Sequence, residues 1–132
     1  MFSTKGRYAL RMMIDLAERG SQEYVPLKDI AERQNISKKY LEIIAKELVK
    51  ARLLSGASGK HGGYKLTRSA SEYTVGEIIE KMEGTIAPVA CLAPDAEDCP
   101  RKAQCRTLDM WREFYELEQD FFYKKRLSDL IR

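Results

Sequence analysis

Residues 27–54, LKDIAERQNISKKYLEIIAKELVKARLL, constrain the fold more than any other part of the chain. Their apolar positions keep helical spacing on both sides of a polar interruption, which predicts a short helix over about Leu27–Arg33, a tight turn over Gln34–Ile36, and a longer helix over Ser37–Lys50. Ser37 is the expected N-cap of the longer helix, and Asn35 in the turn tolerates a left-handed backbone. The spacing therefore predicts a helix-turn-helix. The expected buried seam between the two helices consists of Ile30, Ala31, Ile36, Leu41, Ile44 and Leu48.

Charge is unevenly divided along the chain. Residues 1–68 contain 14 Lys and Arg against 7 Asp and Glu, whereas residues 69–132 contain 9 against 13. A basic first half indicates that this half meets a polyanion. In a helix-turn-helix, the N-terminal residues of the second helix enter the major groove of DNA. A structural helical hairpin with surface lysines is the alternative interpretation. The predicted DNA contacts are Lys5, Arg7, Lys28, Ser37, Lys38, Lys39, Tyr40, Glu42, Lys60 and His61.

Two further helices are predicted on either side of this unit. Residues 4–19 have the apolar spacing of an amphipathic helix, with Thr4 placed to cap its first turn, and the pattern breaks at Gly20–Glu23. Thr74–Glu77 has the form of a capping box, and the helix that it starts should end at Gly84. This later helix is expected to close the core of the domain.

Between residues 53 and 67, the runs LLSGAS and GGYKLT have the character of short strands on either side of a glycine-rich tip. This pattern predicts a β-hairpin wing whose tip carries Lys60 and His61. The glycine spacing differs from that of a phosphate-binding loop and the segment runs into a strand, which argues against a nucleotide enzyme. The expected fold is mostly α-helical with a small β-hairpin wing, a winged helix-turn-helix domain over residues 1–84.

All three cysteines lie between residues 91 and 105, in CLAPDAEDCPRKAQC. No apolar run in the sequence has the length of a membrane span or signal segment, so we expect a soluble, cytoplasmic protein with no membrane partner. In a reducing compartment, an odd set of cysteines favours a metal or redox site over a disulfide framework. A thiol switch and small buried hydrophobic groups are the alternatives. Neither a Cys–His pair nor a metalloenzyme motif accompanies them, so no enzyme is expected. Residues 85–106 form the predicted cysteine loop.

A long C-terminal helix is predicted from about Thr107 to Lys125, within a last segment over residues 107–132. Its apolar face is wide and aromatic, and a second copy of the chain is the simplest partner that would bury it. Leu127, Leu130 and Ile131 are expected to form a last packed turn. The predicted dimer interface consists of Leu108, Trp111, Phe114, Tyr115, Leu117, Phe121 and Phe122.

Five stretches together carry a resemblance to a known family. They are STKGRYAL, ISKKYLEIIAKELVKARLL, GKHGGYKL, TVGEIIE, and C-x(7)-C-x(5)-C ahead of a helix with Trp111. Over nearly its whole length, the chain resembles the bacterial winged-helix transcription regulators that include IscR, NsrR and CymR. The resemblance implies a homodimeric transcription factor on double-stranded DNA. It also implies that Cys91, Cys99 and Cys105 hold an iron–sulfur cluster of the 2Fe–2S or 4Fe–4S type, for which thiolates are suitable ligands.

Three positions depart from the pattern of that family. IscR-like members have a histidine three residues after the last cysteine, where this chain has Leu108. NsrR-like members take an aspartate from the N-terminal helix of the other subunit, and the aligned residue here is Tyr8. The fourth ligand is therefore unassigned, with Asp109, another acidic side chain or a small molecule as options. In the wing, Ser58 stands where relatives have an arginine, so minor-groove contacts would either fall to Lys60 and His61 or be weaker.

Together with these residues, the resemblance implies a homodimeric regulator of transcription that senses iron–sulfur, redox or nitrosative status through a cysteine-bound cluster. The alternative is a cluster-free winged-helix repressor controlled by thiol oxidation or by a regulatory partner protein.

Overall fold

The computed structural model describes residues 1–19 and 22–132, and within them it contains five α-helices and one two-stranded antiparallel sheet. The break predicted at Gly20–Glu23 falls partly on residues 20 and 21, which lie outside the described residues. The expected fold, mostly α-helical with a β-hairpin, is confirmed. The helices are α1 (Thr4–Arg19), α2 (Leu27–Gln34), α3 (Lys38–Lys50), α4 (Val75–Glu83) and α5 (Leu108–Lys124), and the strands are β1 (Leu54–Ala57) and β2 (Gly63–Leu66).

The helix-turn-helix forms as predicted. Asn35 follows α2 in the left-handed region, with φ 53° and ψ 50°. Ser37 caps α3, because its hydroxyl accepts a hydrogen bond of 3.2 Å from the backbone N–H of Tyr40. Ala31 is half-buried and the rest of the predicted seam is buried. The chain direction into α3 is thus fixed by one left-handed turn residue and one capping side chain.

Helix α1 begins differently from the prediction. Ser3, not Thr4, is the cap, because the Ser3 hydroxyl accepts a hydrogen bond of 3.0 Å from the N–H of Gly6. Thr4 lies inside the first turn, where its hydroxyl accepts a hydrogen bond from the Arg7 guanidinium at 3.3 Å. The expected Thr4 cap is therefore wrong. Serine and threonine both favour this position, so adjacent candidates are distinguished only by where the helix starts.

The wing is a hairpin extended by a third segment. Strands β1 and β2 pair with Leu54 opposite Leu66 and Gly56 opposite Tyr64. On the outer side of β2, Val25 and Tyr64 exchange two backbone hydrogen bonds of 2.9 Å each. At the tip, Gly59 has φ +95°, a conformation that L side chains rarely adopt. The segment between α1 and α2 therefore anchors the wing to the helices.

Helix α4 begins at the predicted capping box and ends at Gly84, which has φ +85°. The Glu77 N–H donates to the Thr74 hydroxyl at 3.1 Å, and the Thr74 N–H donates to the Glu77 carboxylate at 2.9 Å. The buried hydrophobic residues of α4 belong to two apolar clusters. Ile78 and Met82 pack in the main core, together with buried residues of α1, α2 and α3, and the others pack in a second cluster. The second cluster comprises Val75, Ile79 and Ile86, with Phe2, Leu10, Tyr115 and Phe122 packed against it.

The C-terminal segment returns to the start of α4. The Val75 N–H donates to the Lys125 carbonyl at 2.8 Å, and the Leu127 N–H donates to the Tyr73 carbonyl at 3.1 Å. Leu127 is fully buried, as the predicted last turn requires, but Leu130 is 37% exposed. Ile131 is half-buried, so the last turn packs through Leu127 and in part through Ile131, and the prediction for Leu130 is wrong.

Candidate nucleic-acid interface and cysteine loop

The predicted DNA contacts lie on the first turn of α3, the wing tip and the neighbouring helix ends. Eight of the ten side chains are exposed, and Lys5 and Tyr40 are half-buried. Lys5 forms an ion pair of 2.7 Å with Glu47 of α3. The Tyr40 ring meets the Tyr8 ring edge-on, at 5.7 Å between centroids. Both half-buried residues therefore tie α3 to α1, and they are less available to a ligand than the exposed eight.

A buried polar network supports the turn that leads into α3. Asp15 of α1 is 3% exposed, and its carboxylate accepts hydrogen bonds from Arg33 at 2.7–3.2 Å and from the Gln34 amide at 2.9 Å. Arg11 in turn donates to the side chain and carbonyl of Gln34. Burial alone would raise the pKa of Asp15, but these hydrogen bonds and the Arg33 charge outweigh it and hold the pKa below its usual value. The network fixes α1 against the end of α2.

Sequence reasoning missed this network. The signal was an aspartate placed between Met12 and Leu16, on the apolar side of an otherwise amphipathic helix. A carboxylate at such a position is stable only with hydrogen-bonding or cationic partners. The partners come from α2, 18 and 19 residues along the chain, so local spacing gave no means of naming them.

Ile43 is a second feature that the sequence interpretation left out. It lies on α3 beside the fully buried Ile44, yet 54% of it is exposed. Two adjacent helical residues are separated by about 100°, so only one of the pair can face the core. The outer side of α3 consequently carries an isoleucine among lysines.

The cysteine loop brings its three thiols to one cavity. Cys91 lies in the short 3-10 turn Ala90–Leu92, and Cys105 directly follows the turn Lys102–Gln104. All three cysteines are exposed and none is in a disulfide. Together they border a cavity of about 100 Å³ that Leu108 and Arg112 also line. Leu108 thus borders the cavity at the position where IscR-like members have a histidine, and it supplies no donor atom.

The donor set of this cavity suits iron and sulfide, because thiolates are the usual ligands of iron–sulfur clusters. The thiols share a cavity without converging on one point. Across residues 1–19 and 22–132, no three His, Cys, Asp or Glu side chains are close enough to bind one ion. Cluster assembly would therefore require the loop to tighten around its ligands, as is common where metal binding and local ordering are coupled.

Cys105 has a distinct environment among the three cysteines. Its sulfur lies 3.6 Å from the Thr107 hydroxyl, just before the N-terminus of α5. The hydrogen bonds from the Thr107 side chain and backbone, with smaller contributions from Leu108 and Arg101, lower the pKa of the Cys105 thiol. Helix N-termini and nearby cations stabilise thiolates in the same way. The lowered pKa therefore favours the ionised form of Cys105, which is the form that binds metal.

The apolar residues of α5 divide between two sides of the helix. Tyr115 and Phe122 pack against the second cluster of their own chain, with the Phe122 ring 5.4 Å from that of Phe2. On the other side lies an exposed row, which we call the α5 stripe. Trp111 is half-buried, and Met110 is a member of the stripe that the sequence interpretation omitted. The stripe comprises Met110, Phe114, Leu117 and Phe121, which are 53%, 47%, 65% and 57% exposed.

Comparison with known proteins places these features in one family. Residues 2–132 match the family model Rrf2, described as an iron-dependent transcriptional regulator. The chain belongs to the Rrf2 family. This Rrf2-family chain is 40% identical over 132 residues to protein rrf2 of Nitratidesulfovibrio vulgaris, covering 98% of the chain and 86% of that relative. It is 35% identical over 130 residues to the HTH-type transcriptional regulator IscR of Vibrio campbellii, covering 98% and 76% respectively.

The fold of this Rrf2-family regulator is also found in solved structures. CymR, described as the global cysteine regulator of B. subtilis, matches with a TM-score of 0.69 at 36% identity, covering 98% of this chain and 95% of CymR. The resemblance to the IscR and CymR group is thereby confirmed. These relatives are transcriptional regulators and not enzymes, as the sequence led us to expect. In the described part of the chain, no helix is long and apolar enough to span a membrane.

Proposed function

We propose that this Rrf2-family regulator binds DNA as a homodimer and that Cys91, Cys99 and Cys105 hold an iron–sulfur cluster that controls binding. The observation that carries the proposal is that all three cysteines border one cavity directly ahead of α5. A bound cluster would supply an iron centre sensitive to redox state and to small ligands. We assign DNA binding to residues 1–84, the cluster to residues 85–106 and dimerisation to residues 107–132, in a cytoplasmic protein.

DNA binding rests on the exposed first turn of α3 and the exposed wing tip. Lys38 and Lys39 follow the Ser37 cap, so their ammonium groups project from the helix end that enters the major groove. Lys60 lies at the tip of the hairpin and would contact the phosphate backbone beside it. Each lysine that neutralises a phosphate steepens the dependence of log affinity on log salt concentration by about 0.9.

The test of this surface is a salt titration with a random-sequence 30-base-pair duplex, followed by fluorescence anisotropy. Lys38→Ala and Lys60→Ala should each weaken binding and flatten the slope by about one unit. Lys124→Ala is the matched control, since this exposed lysine lies on α5 and pairs with Asp120. Equal slopes for the wild type and all three variants would contradict the assigned surface.

Dimerisation rests on the α5 stripe. Its members recur at intervals of three and four residues, so they form one continuous apolar row along the helix. An exposed apolar row of this length on a small domain favours association, and an antiparallel or crossed pairing with the same helix of a second copy is the symmetric solution. Leu108 and Trp111, nearer the cysteine loop, are proposed to lie at the edge of this interface.

Control by the cluster rests on the short connection between the loop and α5. Cys105 lies three residues before Leu108, the first residue of the helix. Ordering of the loop around a cluster would therefore act directly on the helix that carries the dimer interface, and through it on the spacing of the two DNA-binding units. The residues that hold the cluster are the three cysteines, with the fourth ligand unassigned.

The deciding experiment for the cluster is anaerobic purification with iron and acid-labile sulfide analysis and visible absorbance. A coloured protein with comparable amounts of iron and sulfide is expected, and a variant with all three cysteines replaced by alanine should be colourless. Circular dichroism should show that this variant keeps its helices, since all three cysteines are exposed. A wild-type protein without iron or sulfide after anaerobic reconstitution would overturn the assignment.

The second candidate is a cluster-free regulator controlled by thiol oxidation or by a partner protein. The exposed Cys105 thiol with its lowered pKa favours this candidate, because thiolates react faster with oxidants. It predicts that metal-free protein changes its DNA affinity on treatment with peroxide and recovers with dithiothreitol. Unaltered DNA binding by the triple alanine variant under reducing, oxidising and anaerobic conditions would contradict both cluster and thiol control.

A further inference from the structure

The outer side of α3 has an apolar residue at its centre. Leu41, Ile44 and Leu48 are fully buried and define the inner side of the helix. Counting about 100° per residue, Ile43 lies about 130° from the middle of that inner side, so its side chain faces outward. More than half of its side chain is exposed, so it contributes little to the core.

Lysines surround Ile43 on this outer side. Lys39 precedes it by one helical turn and Lys46 follows by three residues; both are exposed, and Lys46 pairs with Glu42 at 3.6 Å. Ile43, Lys39, Tyr40, Ser37 and Lys5 line one surface depression of about 450 Å³ at the start of the helix. The floor of the depression is apolar and its edge is cationic. Lys5 already has a countercharge in Glu47, but an apolar protein partner would leave the exposed Lys39 ammonium against a surface without countercharge, whereas a nucleic-acid groove supplies phosphates on both sides.

We propose that Ile43 is a specificity-determining residue, which contacts the C5-methyl group of a thymine in the major groove. This inference rests on the proposed DNA binding by α3 and deepens it. Among the bases, thymine alone presents a methyl group in the major groove, and apolar side chains recognise it. Lys38 and Lys39, on the preceding turn, hold the helix against the phosphates so that the isoleucine reaches the base edges.

The test begins with selection of bound duplexes from a random-sequence pool, on anaerobically purified and on air-oxidised protein. Each conserved thymine in the selected sites is then replaced by deoxyuridine, which removes only the methyl group. At the thymine that Ile43 contacts, affinity should fall about fourfold per half-site, the ratio expected when burial of one methyl group is lost. With Ile43→Ala, the same replacement should change affinity by a factor of about one.

Two further variants separate a methyl contact from a general loss of binding. Ile43→Val keeps a branched apolar end and should retain most of the thymine preference. Lys46→Ala should weaken binding to the thymine and deoxyuridine duplexes equally and flatten the salt dependence. Exposure of Ile43 predicts that all variants keep the thermal stability of the wild type.

The outcomes distinguish this inference from the function on which it rests. If no duplex is enriched and none is bound, both the DNA-binding function and the Ile43 contact are overturned. If sites are enriched but deoxyuridine has no effect at any thymine, or has the same effect on Ile43→Ala as on the wild type, the Ile43 contact alone is overturned. Stable binding of a protein partner to this side of α3, abolished by Ile43→Ala, would also overturn the proposed contact between Ile43 and thymine.

Discussion

The buried Asp15–Arg33 pair should be one of the most sensitive points for the stability of the DNA-binding unit. The Asp15 carboxylate accepts hydrogen bonds from two nitrogen atoms of Arg33, the shorter at 2.7 Å, and from the Gln34 amide at 2.9 Å. Asp15→Ala removes the acceptor of all these hydrogen bonds. It leaves the Arg33 guanidinium against the protein without its counterion, next to the turn that precedes α3.

The magnitude follows from the burial of the two partners. Removing one member of a buried ion pair costs about 3–5 kcal/mol of unfolding free energy. The Arg33 side chain is 30% exposed, so water partly solvates its charge once Asp15 is absent. We therefore expect Asp15→Ala to lower the unfolding free energy by about 2–3 kcal/mol, which for a chain of this size lowers Tm by about 8 °C.

The same pair makes stability depend on pH. The pKa of Asp15 is lower in the folded protein than its usual value near 3.9. Ionised Asp15 therefore stabilises the fold above about pH 4, and this stabilisation is lost as pH falls through the folded pKa. The stability gap between the wild type and Asp15→Asn should be constant from about pH 5 to pH 7 and should shrink at lower pH.

Urea denaturation followed by circular dichroism measures these differences. Asp109→Ala provides the matched control, because Asp109 also pairs with an arginine, Arg112, at 3.1 Å, but its side chain is 99% exposed. That variant should lose less than about 0.5 kcal/mol. The reasoning is refuted if Asp15→Ala costs no more than Asp109→Ala, or if the gap to Asp15→Asn widens on acidification.

Three other variants test separate parts of the fold. Tyr73→Phe removes a buried hydroxyl that donates to the Leu53 carbonyl at 2.8 Å, and denaturation should show a loss of about 1–3 kcal/mol; a loss below 0.5 kcal/mol would show that the bond is dispensable. Gly76→Ala would place its Cβ 2.5 Å from Cδ2 of Tyr123 and should cost about 1–3 kcal/mol, most of which should vanish in a Tyr123→Ala background if that contact is the cause. Leu117→Glu, at a position that is 65% exposed, should convert a dimer to a monomer in analytical ultracentrifugation while circular dichroism shows unchanged helix content, and its Tm should no longer depend on protein concentration; an unchanged sedimentation coefficient would contradict dimerisation through the α5 stripe.

Features set by local chemistry were predictable from the sequence. The helix-turn-helix follows from apolar spacing, the Ser37 cap from the preference of serine for that position, and the left-handed Asn35 from its short polar side chain. The capping box at Thr74 and the end of α4 at Gly84 follow for similar reasons. Each of these depends on residues within one or two turns of one another.

Features set by distant contacts were not predictable. The sequence shows that α5 is apolar over a wide arc, but only the position of α4 and Phe2 decides that Tyr115 and Phe122 face their own chain while Leu117 faces outward. The partners of Asp15 were hidden for the same reason. In the cysteine loop, the sequence places three thiols close along the chain, whereas the shared cavity depends on the turns that orient Cys91 and Cys105.

The return of the C-terminal segment to the start of α4 anchors the C-terminal end of α5. Backbone hydrogen bonds at Lys125 and Leu127 fix the C-terminal end of the helix, and the cysteine loop is attached to its N-terminal end. Tyr115, in the middle of the 17-residue helix, also packs on the second cluster, so the part ahead of it, residues 108–114, is about 10 Å long, and a swing of about 5° would move its start by about 1 Å. On the proposed control by the cysteine loop, a rearrangement of that loop would therefore displace α5 most near Met110 and least where Lys125 and Leu127 are anchored.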